Sequence, residues 1–224
     1  MAPEIVFEEE GHTYKVDDEP YPSVTHIIKS VVPVPFERAA WFGFKAAQRG
    51  ERLDDARNAA AKRGSLVHKA LETMAKGGTP DEFDYEHVAG YVEALDKFFD
   101  ANDPEFHDTE CSTASVIHRY AGTLDGFCTF RKGKHKGATA RLDLKTGRIY
   151  PESHFPQLEA YEWAEVERGK PKSDLRLVLD VKDDEKLAKP RYRLVQSTDT
   201  FDDFFVLLQT YRSMENRKKR MKRK

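Results

Sequence analysis

Along this chain apolar and polar residues first alternate, then fall into helical stripes, then alternate again, and each change of period marks an element. Ile5, Phe7, Tyr14 and Val16 recur at every second position within residues 4–22 and predict a hairpin that turns at Glu10-Gly11. Ser23, just after Pro22, is placed to cap a short helix, VTHIIKSVV, which Pro33 and Pro35 end. Phe36, Trp41, Phe42 and Phe44 predict a second helix reaching Arg49, with the aromatic side chains read as core rather than as a base-stacking platform. From Arg52 to Lys76 a long helix carries Ala56, Ala59, Ala60, Leu66, Val67, Ala70, Leu71 and Met74 as its apolar stripe. Gly64 interrupts that stripe, so either the helix breaks there or a close neighbour occupies the space of a side chain. Gly77-Gly78-Thr79-Pro80 stops it, and Val88, Tyr91, Val92, Leu95, Phe98 and Phe99 then predict a packing helix from Tyr85 to Ala101.

Beyond Pro104 the period shortens to that of strands. FHDTECSTASVIHRY, AGTLDGFCTFRK and TARLDLKTG are three strand patterns with short connections, which makes them an antiparallel meander. A helix over 153–168, strands at 175–181 and 191–197, and a last helix over 200–216 complete the order. The fold class predicted is α/β, with α+β character: a mixed central sheet containing the meander, flanked by helices. Residues 1–104 form an N-terminal hairpin and helices integral to the fold, 105–216 the sheet-centred core, and 217–224 a basic tail.

Composition narrows the class. The chain has 224 residues, 34% of them charged and 39% apolar, enough for one sizeable core under a heavily charged surface. No apolar run is long enough to span a bilayer, and MAPEIVFEEE lacks the order of a signal peptide. Two cysteines, Cys111 and Cys128, are too few for a disulfide scaffold or a four-thiolate cluster, which fits a reducing cytoplasm. The tail RKKRMKRK holds seven positive charges, so with a net charge of −2 for the whole chain the rest carries −9. A basic tail on an acidic body suits local attraction of a polyanion, or else a solubilising end.

The candidate chemistry lies in ARLDLKTGRIYPESHFPQLEAYEWA. Asp143 and Lys145 share one face of a strand, and Gln157 and Tyr161 sit one turn apart on the helix that follows. Asp125, in GTLDG, comes from the preceding strand, so pairing across the KGKHKG turn brings two carboxylates into one site. Two carboxylates, waters and the Leu144 backbone carbonyl suit a magnesium ion, and Lys145 would orient a water or steady the charge of a transition state. Taken singly, Asp143–Lys145 is a salt bridge beside a turn, Asp125 a turn former, and His68 a half-buried polar residue on a helix. Their order in the chain is what points to phosphodiester hydrolysis.

Four blocks, RGSLVH (63–68), GTLDG (122–126), DLKTG (143–147) and QLEAY (157–161), together with YPSVT (21–25), resemble the PD-(D/E)XK nuclease superfamily, in its RecB-like branch of phage recombination exonucleases. The resemblance implies a restriction-endonuclease-like core and a Mg2+- or Mn2+-dependent DNA exonuclease of phage or bacterial recombination or repair. Asp125, Asp143 and Lys145 would be catalytic, His68 an extra metal ligand, and Gln157 and Tyr161 contacts to the DNA strand. Glu110 is a further candidate acid, and Arg63 and Arg119 are candidate phosphate contacts on charge alone. No iron–sulfur cluster is expected, because relatives that hold one use four cysteines. DNA is the expected partner, with a single-strand annealing or recombination protein as a second, in the cytoplasm of a bacterial host. The alternatives are a single-strand or flap nuclease of the same fold, and a non-catalytic DNA-binding accessory protein.

Overall fold

The computed structural model describes residues 3–8, 13–34, 36–81, 85–183 and 189–222, with the backbone alone for 36–38. Two sheets organise it. The smaller pairs β1 (Ile5–Glu8), β2 (Thr13–Val16) and β3 (Glu19–Tyr21) antiparallel, so the N-terminal hairpin gains a third strand; Glu10-Gly11 lies outside the described residues. Positive φ angles at Asp17 (49°) and Asp18 (63°) make the tight β2–β3 turn, a conformation that aspartate tolerates better than most residues.

The larger sheet runs in the order β4 (Pro104–Ser115), β5 (Tyr120–Phe130), β6 (Thr139–Lys145), β7 (Leu175–Lys182) and β8 (Arg191–Gln196). The first three form the expected antiparallel meander. β7 lies parallel to β6 and β8 antiparallel to β7, which makes the sheet mixed and the class α/β. The parallel step requires a crossover, supplied by the helix between β6 and β7.

Helices cover both faces. On one, α3 (Leu53–Ala75) and α4 (Ala89–Asn102), the latter entered through a 3-10 turn at Glu86–Val88, pack Val67, Leu71, Leu95 and Phe98 onto Phe130, Leu142, Leu144 and Leu179. On the other, α1 (Val24–Val31), α5 (Pro151–Glu167) and α6 (Phe201–Lys222) pack Ile27, Ala160 and Phe204 onto Tyr120, Leu124 and Phe127. Ser23 caps α1 as predicted, its hydroxyl accepting from the His26 N–H at 3.1 Å.

Two expectations change, and the alternative at Gly64 is decided. Helix α2 (Phe36–Gln48) forms where the pattern placed it, but Trp41 and Phe44 are 61% and 59% exposed, not core. The helix seats itself through the opposite side, where Ala46 is buried, so the aromatic stripe points to solvent; the Phe36 side chain is outside the described residues. Helix α3 runs unbroken through Gly64, whose absent side chain would just touch the Thr146 hydroxyl at 4.0 Å. The last helix does not stop at Asn216 but continues to Lys222, taking in most of the basic tail. Lysine and arginine are good helix formers, and their charges suit a helix C-terminus.

Candidate metal centre

A cleft of about 1500 Å³ opens between the small sheet, α1, α3 and the edge of the large sheet. The strand register aligns its acids. Thr109 pairs with Gly126 and Cys111 with Leu124, which sets Glu110 opposite Asp125 across β4 and β5. Gly126 pairs with Leu142, the last described rung between β5 and β6, and the next position sets Asp125 opposite Asp143. Three carboxylates therefore stand in a row on adjacent strands. At Asp125 the two strands part, and its Oδ2 takes the place of a backbone acceptor, receiving the Leu144 N–H at 2.6 Å. In an extended strand N–H and C=O of one residue point the same way, so the Leu144 carbonyl faces β5 rather than β7.

Like charges on adjacent strands repel, so the row needs cations. His68, projecting from α3, puts Nδ1 3.2 Å from Asp125 Oδ1 and 3.5 Å from Glu110 Oε1. Lys145 puts Nζ 2.6 Å from Asp143 Oδ2. Gln157 donates through Nε2 both to Asp143 Oδ1, at 2.9 Å, and to the Tyr161 hydroxyl, at 3.1 Å. Tyr161 fits only because position 122 lacks a side chain: a Cβ on Gly122 would lie 2.4 Å from Tyr161 Cε1.

These contacts set the charges. Burial opposes a charge on His68, but the Asp125 carboxylate and a hydrogen bond to Glu110 outweigh it and raise the imidazole to about 10. Burial likewise pushes Asp125 up, yet charged His68 and Lys145 hold it below the ordinary aspartate range. For Asp143 burial wins: helped by Asp125 and resisted by Lys145, it lifts the carboxyl to about 6. Lys145 is raised, burial being overcome by Asp143 and Asp125. Burial raises the phenols of Tyr161 and Tyr14, and the Tyr14 hydroxyl lies 2.9 Å from Thr123 Oγ1.

One imidazole nitrogen and two carboxylate oxygens, from His68, Glu110 and Asp125, lie within 4.8 Å of one another. That is a donor set divalent cations accept, with water access through the cleft. The group includes Glu110, for which the sequence offers no local motif, and leaves Asp143 beside it, engaged by Lys145 and Gln157. Glu110 also holds a positive φ, 46°, inside a strand. A non-glycine residue in the left-handed region costs about 1–3 kcal/mol and persists where the surroundings over-determine it.

No protein-family model matches the chain, and no curated protein matches it.

Of the other sequence candidates, Gln157 and Tyr161 line the cleft and Arg63 and Arg119 do not. Arg63 lies over the Tyr91 ring, at 5.7 Å. Arg119 is ion-paired with Glu19 at 2.5 Å and lies 5.0 Å from the Tyr21 ring centroid, so its charge is spent on the small sheet. The cations along the cleft wall are Lys29 and Lys69 instead, with His26, Ser65 and Thr25 among the polar groups between them. A signal for Glu110 was present in the sequence: Glu110 and Asp125 lie equally far from the turn at 116–119 that joins β4 and β5.

Proposed function

We propose that this chain is a divalent-metal-dependent nuclease that hydrolyses DNA phosphodiester bonds, of the PD-(D/E)XK type it resembles in sequence. The observation that carries this reading is the cross-strand row Glu110–Asp125–Asp143, met by His68 on one side and Lys145 on the other, on the floor of a cleft of about 1500 Å³. A salt bridge placed for stability alone would need no strained acid opposite another acid.

His68, Glu110 and Asp125 would hold the cation, with Asp143 adjacent. Bound there, Mg2+ or Mn2+ supplies Lewis acidity toward a phosphoryl group. Lys145 stays charged at neutral pH and presents its ammonium at the cleft floor, where it orients the attacking water and offsets charge building on the phosphoryl oxygens. Asp143 keeps that ammonium in place, and Gln157 fixes Asp143 by holding its other oxygen. Tyr161 anchors Gln157 and, being buried, serves as a positioning residue behind the site rather than a direct contact to a strand. Lys29 and Lys69 on the wall provide positive charge for a polyanion.

The test is cleavage of end-labelled single-stranded, duplex and flap DNA with Mg2+, with Mn2+ and with chelator, by the native chain and by Lys145→Ala. The expected result is chelator-sensitive cleavage lost in the variant; full activity of Lys145→Ala refutes the assignment. The three substrates also distinguish duplex-end from single-strand and flap cutting.

A further inference from the structure

Helix α2 presents a face that the fold does not use. Trp41 and Phe44 lie less than one turn apart, both more than half exposed. The Lys45 ammonium sits 5.9 Å from the Trp41 ring centroid and bonds the amide oxygen of Gln48 at 3.3 Å, an interaction that leaves its charge unneutralised. Trp41, Phe44, Lys45 and Gln48 thus make one stripe of two flat rings, a cation and an amide, while Ala46 seats the helix on its other side. In chain order α2 joins two helices that both line the cleft, α1 through His26 and Lys29 and α3 through Ser65, His68 and Lys69.

Resting on the nuclease reading above, we propose that this face of α2 is a stacking platform for unpaired bases of single-stranded DNA, with Lys45 taking a neighbouring phosphate. The chemistry of the stripe selects the occupant. A nucleotide offers a π face and, a few ångströms away, an anion, which matches an aromatic ring flanked by an ammonium. Duplex DNA keeps its base faces stacked on each other and has none to offer. The cores of protein interfaces are depleted in lysine, and here Lys45 sits against the Trp41 ring within the stripe.

The experiment reads tryptophan emission. Trp41 and Trp163 are the chain's two tryptophans, and Trp163 stacks on Phe201 at 4.2 Å, a contact phenylalanine preserves. In a Trp163→Phe background with chelator present, oligothymidylate is expected to quench Trp41, and an abasic oligomer of the same length, with equal phosphates and no bases, is not. By fluorescence anisotropy, Trp41→Ala with Phe44→Ala should weaken oligothymidylate binding about 10- to 100-fold and duplex binding less than about twofold. An equal quench by the abasic strand, an equal loss on duplex, or no quench by either strand overturns the proposal. The measurement needs no cleavage, so an inactive protein that shows the base-dependent quench refutes the nuclease reading alone, and an active one without it refutes the platform alone.

Discussion

Gly122→Ala is the sharpest test of how the centre is built. The added Cβ would stand 2.4 Å from Tyr161 Cε1 and 3.2 Å from Cζ and Oη, whereas carbon atoms pack at about 3.5–4.0 Å. Neither side yields easily. Gly122 is inside β5, paired to Thr113, and Tyr161 is 3% exposed in the packed layer between α5 and the sheet. The ring must therefore retreat by roughly 1 Å, an overpacking cost of about 1–3 kcal/mol. For a chain of this length that lowers Tm by about 2–12 °C. The same retreat breaks the 3.1 Å bond from Gln157 Nε2 to the Tyr161 hydroxyl and frees Gln157 from its hold on Asp143. A displacement of about 1 Å at a reacting group costs on the order of 100-fold in rate. Thermal unfolding and steady-state DNA cleavage measure the two losses. In a Tyr161→Ala background the added methyl meets no ring, so the stability penalty of Gly122→Ala should vanish. Wild-type Tm and rate in Gly122→Ala, or an undiminished penalty without the ring, refutes the reasoning.

Four further outcomes follow from the contacts. Glu110→Gln should weaken Mn2+ binding, measured by calorimetry, at least about tenfold, or about 1.4 kcal/mol, whereas Arg63→Ala and Arg119→Ala leave it unchanged. Without metal His68 stays protonated up to a pH of about 10, so a cation that takes its Nδ1 must displace that proton. Apparent Mn2+ affinity should therefore rise with pH through neutrality, by about tenfold per unit, with about one proton released per ion in titrations across buffers of different ionisation enthalpy, and His68→Ala should flatten the slope. Glu162→Ala strands Arg141, which is 1% exposed, ion-paired with Glu162 and 4.8 Å from the Phe127 ring centroid, at a cost of about 3–5 kcal/mol in urea unfolding. Lys182 donates to the Thr146 carbonyl at 3.0 Å and to that of Gly147, the turn just after Lys145; Lys182→Met should destabilise by about 1.5–3 kcal/mol and lower kcat more than it changes KM.

What was legible in the sequence was local. Alternation gave the meander, β7 and β8, because a strand's period is written in consecutive residues, and Ser23 signalled its own cap. Asp125, Asp143, Lys145, His68, Gln157 and Tyr161 do meet in one place. The misreadings concern partners far away in the chain. Arg119 was named on its charge alone, and its partner Glu19 comes from β3, 100 residues away in the chain. The stripe of Trp41 and Phe44 was correctly periodic, but periodicity does not say which side of a helix is covered. Glu110 sits in a strand with no motif of its own, and only the pairing with β5 gives it a role. Among the described residues no helix is long and apolar enough to cross a membrane.

The acid row has a consequence for which changes of chain length the protein can absorb. Pairing in the β4–β5 hairpin aligns Glu110 with Asp125, and the last β5–β6 rung, Gly126 to Leu142, brings Asp143 alongside, so the turns at 116–119 and 131–138 act as the fold lines of a pleated strip. Lengthening a turn leaves the line intact. One residue inserted inside β5 between Tyr120 and Asp125 would instead turn Asp125 to the opposite face of the sheet and place an apolar neighbour in the cleft. Insertions should be tolerated at the two turns and eliminated within the three strands, and a library of single-codon insertions scored for folding and cleavage would trace the outline of the centre.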